Sequence, residues 1–179
     1  MTSILKVTEI QDPTNSNTAF SIDSSGRVTT PSKPAFIVSL KTNLSDATSG
    51  IVIFDTIVKQ NGSGYSTSTG KFTAPVTGFY QLGHSLLLQN VASSDDAIHL
   101  RYRTNGADND ENTYLFNRTD GSAANGTVGY QGYLNVVGSV LLHLESGDTA
   151  DLYWTSSGAI GVHGNATGTW SRMYGYLVG

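Results

Sequence analysis

Residues 135–144 read NVVGSVLLHL, and residues 170–179 read WSRMYGYLVG. Side chains along a strand alternate between the two faces of its sheet. On the first stretch Val140, Leu142 and Leu144 share one face, while Val137, Leu141 and His143 share the other. On the second, Met173 and Leu177 fall on one side and Tyr174, Tyr176 and Val178 on the other. An antiparallel sheet with one wet side alternates apolar and polar residues. These strands are apolar on both faces, so their second face needs a cover. In a chain this short the cover that the sequence suggests is another copy of itself, and the expectation is an obligate oligomer.

Outward from these strands, no segment shows sustained helical periodicity. Turn signals recur instead: DPTN at 12–15, SSG at 24–26, NGSG at 61–64, STG at 68–70, NG at 105–106 and 125–126, SGD at 146–148 and SSG at 156–158. Between them lie short β-rich runs such as PAFIVSL, GIVIFDTIV, GKFTAP, GFYQLGHSLLLQ, AIHLRYR, TYLFNRT, TADLYWT and GVHG. Many short strands with regular turns indicate a sandwich, jelly roll or barrel. The first 33 residues differ. They hold two short apolar clusters around DPTNSN, and Pro31 and Pro34 bracket a stiff joint before the strands begin. This leader is too poor in apolar groups to fold alone. It is expected to order by pairing with neighbouring copies or by docking on a larger surface.

Composition narrows the function classes. Charged residues are 13% of the chain and the net charge is −4, so no basic patch points to nucleic acid. There are no cysteines, which excludes disulfides and thiolate metal sites. No apolar stretch is long enough for a membrane helix, and Lys6 and Glu9 interrupt the N-terminus before a signal-peptide core could form. Asn-x-Ser/Thr matches at Asn43, Asn61, Asn117, Asn125 and Asn165 read as chance in a chain rich in these residues.

No motif carries catalysis. NGSGYSTSTGK resembles a phosphate loop, but five residues separate Gly64 from Gly70, and Phe72 follows Lys71 where Ser or Thr is required. His84, His99, His143 and His163 are scattered, with no zinc-binding HExxH and no GxSxG elbow. Asp95–Asp96 reads as a solvated turn. The loop 105–112, NGADNDEN, offers oxygen ligands that suit calcium, though a solvated tip explains it more simply. The reading is a non-enzyme with no cofactor and no metal site.

Three segments together resemble the complement component one-q globular-head family, within the tumour-necrosis-factor-like jelly rolls. In YSTSTGKFTAPVTGFYQL, 65–82, the matching residues are Tyr65, Thr69, Gly70, Phe72, Pro75, Gly78 and Tyr80. Leu82 replaces an aromatic, and Ala74 stands where a cysteine is often found. GSVLLHLESGDTADL, 138–152, and the ending MYGYLV, 173–178, follow in the family's order. The resemblance spans about residues 34–179. It implies an antiparallel jelly-roll sandwich filled by Tyr80, Leu82, Leu86 and Leu88, and a homotrimer closed around a threefold axis. Carried over by position, the axial trimer interface would be Gln81, Ser85, Leu87, Val137, Ser139, Leu141, Met173, Gly175 and Leu177. Gly175 would let neighbouring backbones approach.

The family's collagen stalk is missing. Instead ILKVTEIQD and IDSSGRVTTP resemble the N-terminal segments of tailed-bacteriophage fibre and virion surface proteins. That resemblance implies residues 1–33 as a short extended anchor, with Ile4, Leu5, Val7 and Ile10 making the attachment. The combined expectation is an all-β, trimeric virion surface protein: a short fibre, a fibre tip or a capsid decoration. Its partners would be itself, other virion proteins and a host-surface glycan, with no nucleic acid and no membrane insertion. Loops far from the anchor would bind the host. The candidate ligand loop is 105–114, with Asn105, Asp108, Asn109, Asp110 and Tyr114. A purely structural capsid-stabilising decoration and a free lectin-like module are the alternatives.

Overall fold

The computed structural model describes residues 6–62, 64–91, 97–107, 114–118 and 132–178, the stretch 114–118 as strand backbone alone. Among the described residues every regular element is a β-strand. Three form a small separate sheet near the N-terminus: β1 (Glu9–Gln11), β2 (Thr18–Ile22) and β3 (Val28–Thr29), all antiparallel. Its turns follow from Asx chemistry. The Asp12 carboxylate accepts the amides of Thr14 at 2.8 Å and Asn15 at 3.1 Å. The Asp23 carboxylate accepts those of Ser25 and Arg27, and Gly26 supplies the positive φ of 77° that the turn requires. The amide and then the guanidinium of Arg27 hold Asp23 below the usual carboxylate range. The leader is therefore a folded meander where the sequence suggests an extended anchor.

The head has two sheets. The first runs β12 (Leu134–Leu144), β9 (Gly78–Gln89), β14 (Arg172–Leu177), β4 (Ala35–Ser39) and β6 (Thr56–Asn61). The second joins β11 (Tyr114–Arg118), β10 (Ile98–Thr104) and β13 (Thr149–Val162), with β5 (Leu44–Ile51) and β8 (Lys71–Thr73) also pairing β13, and β7 (Tyr65–Ser66) pairing β8. At Gly161 and Val162 the end of β13 pairs with Gln89 and Leu88 of β9, so the two sheets form one hydrogen-bonded surface folded over on itself. This is the antiparallel jelly roll expected.

The core lies between the sheets. Tyr80, Leu82, Leu86 and Leu88 of β9 are buried, as period two predicts, against Leu100 and Tyr102 of β10 and Leu152 and Trp154 of β13. Tyr65, Phe36, Phe72 and Tyr80 form a chain of ring contacts with centroids 4.9–5.5 Å apart. Two element boundaries depart from the sequence reading. GIVIFDTIV breaks at 52–55 between β5 and β6. SSG at 156–158 is not a turn: β13 runs through it, with register shifts against β5 between Thr155 and Ile160.

Each strand has a direction that orients the head. Ala35, Gly78, Leu144, Thr149 and Leu177 lie at the lower end, where Leu177 donates to the Pro34 carbonyl and Val178 to that of Phe79. Ser39, Gln89, Leu134, Val162 and Arg172 lie at the far end. The N-terminal meander joins the lower end.

Candidate functional site

The outward faces of the two sheets differ. On the second, Asp151 is wholly buried beneath Arg103, which donates from Nε at 2.8 Å and from Nη2 at 3.2 Å. The Arg103 guanidinium also lies 3.7 Å from the centre of the Tyr153 ring. These three side chains satisfy one another. The first sheet's outward face carries exposed apolar side chains among Gln81, Ser85, Ser139 and His143: Val137 is 71% exposed, Leu141 51% and Phe79 48%, with Ile37, Tyr174 and Tyr176 also exposed. Large exposed apolar side chains gathered on one sheet face mark an interaction surface.

The residues behave as strand alternation requires. On β12, Val137, Ser139 and Leu141 point outward while Val136, Leu142 and Leu144 point into the sandwich. On β9, Gln81, Ser85 and Leu87 are half-buried on the outward side. These six expected interface residues share one face with Phe79 and His143, whose rings meet edge-on at 5.1 Å. Gly83 lies on this face too, and the Tyr174 ring covers it.

On β14 the expected assignment is reversed. Met173 is 0% exposed, and Gly175 is buried beneath Phe36 and Leu82. Leu177 packs against the core as well. The register sets this phase: Met173 pairs with His84 and Gly175 with Leu82, both inward residues of β9. Arg172, Tyr174 and Tyr176 take the outward positions instead. Gly175 therefore admits core side chains, not a neighbouring backbone. Both sides of MYGYLV are apolar, so alternation alone carries no phase.

The far end holds a feature that the sequence reading missed. Trp170, 47% exposed, stacks on His163 with centroids 4.5 Å apart, and Tyr133 meets His163 edge-on at 5.2 Å. His163 Nδ1 lies 2.8 Å from the Gln89 side-chain oxygen, which also accepts Asn43 Nδ2 at 3.1 Å. The turn before Trp170 is rigid: Asn165 Oδ1 accepts the Thr169 amide at 2.8 Å, and Gly168 has a φ of 63°. The signal available in sequence was the NATGTW turn placing a tryptophan two residues before a strand.

The expected ligand loop lies elsewhere. Asn105 sits at the lower end, the end of the N-terminal meander, where its side chain donates to Asp148 at 2.8 Å and accepts the Thr149 amide at 2.9 Å. Those contacts staple β10 to the Gly147–Asp148 turn, so Asn105 is a structural residue. Asp108, Asn109 and Asp110 fall outside the described residues, and Tyr114 is described only as the first residue of β11. Of the expected attachment residues, Val7 and Ile10 are exposed on the meander, while Ile4 and Leu5 lie outside the described residues. Among the described residues no group of three His, Asp or Glu side chains is arranged to hold a metal ion.

The comparisons agree with this architecture. No curated protein matches the chain significantly. Among solved structures, the globular domain of zebrafish complement 1qA is similar, with a TM-score of 0.56 at 18% identity over 82% of this chain and 98% of that one. Murine APRIL gives 0.53 at 14% identity, covering 82% and 99%. The Eiger TNF of S. frugiperda gives 0.55 at 13%, covering 82% and 93%. At these identities the likeness speaks for the fold. The C1q domain profile matches residues 35–178, most of the chain, and the protein therefore belongs to the C1q domain family.

Proposed function

We propose that the chain is a homotrimeric binding module, not an enzyme, which stands on the surface of a bacteriophage virion through its N-terminal segment. The observation that carries the trimer is the bare apolar face of the first sheet, centred on Val137, Leu141 and Phe79. Burying it against two further copies removes apolar area from water at about 25 cal/mol per Å². A closed threefold ring leaves no copy of the face exposed. The virion setting is supported by the likeness of ILKVTEIQD and IDSSGRVTTP to phage surface proteins, and by a leader whose strands pair with one another in a sheet separate from the head. The rigid far end, where Trp170 offers an aromatic face beside Asn43 and Gln89, is the surface suited to a host-surface glycan.

Light scattering of the full chain should give three times the chain mass, and a stable monomer at micromolar concentration would refute the trimer. Residues 34–179 alone should still trimerise but should not join particles. Normal occupancy by the truncated chain would refute the N-terminal attachment. Deleting the protein should slow adsorption to host cells. If deletion alters only the heat resistance of the particle, the protein is a structural decoration.

A further inference from the structure

The N-terminal meander has two unlike faces. Glu9, Gln11 and Thr18 share one: Gln11 Nε2 donates to Glu9 at 2.6 Å and to Thr18 at 3.2 Å. Ser21 and Thr29, cross-strand partners, bond on the same side at 3.4 Å. The other face is apolar. Ile10 pairs with Phe20 and Ile22 with Val28, and all four stay exposed among the described residues, Val28 by 61%. With Val7 and the edge of Glu9 they line an open concavity of about 290 Å³.

A three-stranded sheet with one apolar face needs something packed on that face. Size restricts what the cover can be. A free protein partner is held by roughly 20–30 residues a side, far more than this patch offers. An occupant delivered by a tether needs much less, because linked modules meet at effective concentrations of about millimolar. The tether is visible. Ser32 Oγ donates to the Thr18 carbonyl at 2.9 Å, and Asn61 Nδ2 holds the carbonyls of Pro31 and Lys33. Lys33 Nζ reaches the Val178 carbonyl at 2.7 Å, and the Val178 amide reaches that of Phe79. Phe79 belongs to the bare face of the head, so each meander is pinned at the lower rim of that face.

We propose that the apolar faces of the meanders from neighbouring copies pack on one another, closing a second, smaller contact beneath the heads. The occupant of the concavity is a second copy of residues 7–29. The proposal rests on the homotrimer reading.

The chain has no cysteine, so a single introduced thiol reports on one position. Phe20→Cys on the apolar face and Ser21→Cys on the polar face would be made in the full chain and treated with a bis-maleimide spanning about 10 Å, the spacing of packed sheets. Phe20→Cys should cross-link at least about tenfold more than Ser21→Cys, at a yield independent of dilution, as an intramolecular contact requires. Val28→Cys should behave as Phe20→Cys does, which guards against a local effect of losing the ring. Adding Leu141→Asp, which separates the heads, should abolish both cross-links. Equal yields on the two faces, or yields that fall on dilution, overturn the proposal. A trimer by light scattering with no link at either apolar position overturns it alone and assigns the patch to a different partner. A monomeric chain overturns the trimer reading and this contact with it.

Discussion

His84 occupies an inward position that its strand otherwise gives to leucine or tyrosine. It shares the inward face of β9 with Tyr80, Leu82, Leu86 and Leu88 and is 2% exposed. Its Nδ1 lies 3.3 Å from the Tyr102 hydroxyl, and Nε2 has no hydrogen-bond partner among the described residues. Burial pushes its pKa down to about 4. The folded chain therefore takes up this proton less readily than the unfolded chain, whose histidine titrates near 6.5. The contribution of His84 to stability is complete above pH 6.5 and is lost as pH falls toward 4, by up to about 3 kcal/mol. Urea unfolding at pH 7 and pH 4.5 should show a substantial part of this loss in the wild type. His84→Leu should lose correspondingly less, while parallel losses in both proteins would mean that other groups carry the acid sensitivity.

At the scale of the strand, β12 offers adjacent residues with opposite duties. Leu142 is wholly buried and Leu141 lies on the bare face. Leu142→Asp buries a carboxylate without a partner, costs more than about 4 kcal/mol, and should abolish folding. Leu141→Asp should leave the circular dichroism of the head intact and shift its mass from trimer to monomer. Trimer yield equal to wild type would mean that this face is not the contact. The phase of β12 and β9 was legible in the sequence because Leu142, Leu144 and Tyr80 alternate with Ser139, Gln81 and Ser85. β14 was not, because Met173 and Leu177 rival Tyr174 and Tyr176 in apolarity and only pairing with β9 decides between them. LSDATSGI looks like loop by composition, yet it is a strand because β13 supplies it with a hydrogen-bonded neighbour. The small residues of SSG at 156–158 allow the bulge that keeps β13 continuous.

For the whole molecule, the proposed function assigns a different task to each end. The meander and both ends of the described chain gather at the lower end, and the Trp170–His163–Tyr133 cluster lies at the other. Long-range placement of this kind is invisible to local patterns, which is why the sequence did not single out the cluster at Trp170. Trp170→Ala should leave trimer mass and melting temperature nearly unchanged, since the ring is half exposed, while lowering binding in a glycan-array or host-adsorption assay. Unchanged binding would remove the far end from consideration as the ligand surface.

The route by which the leader enters the head also governs its response to pulling. Residues 30–33 lead directly into β4, which is bonded along its length to β14 on one side and to β6 on the other. A load applied at the leader and resisted at the far end acts along β4, parallel to the strand. The rungs on both sides must then shear together, since none can be opened one at a time from an edge. Forced rupture is governed by the unfolding rate, and this arrangement raises the barrier against a load carried through the leader. Hauled by its leader, the head should hold at forces that would unzip an edge strand, and the meander, with its few short rungs, should yield first.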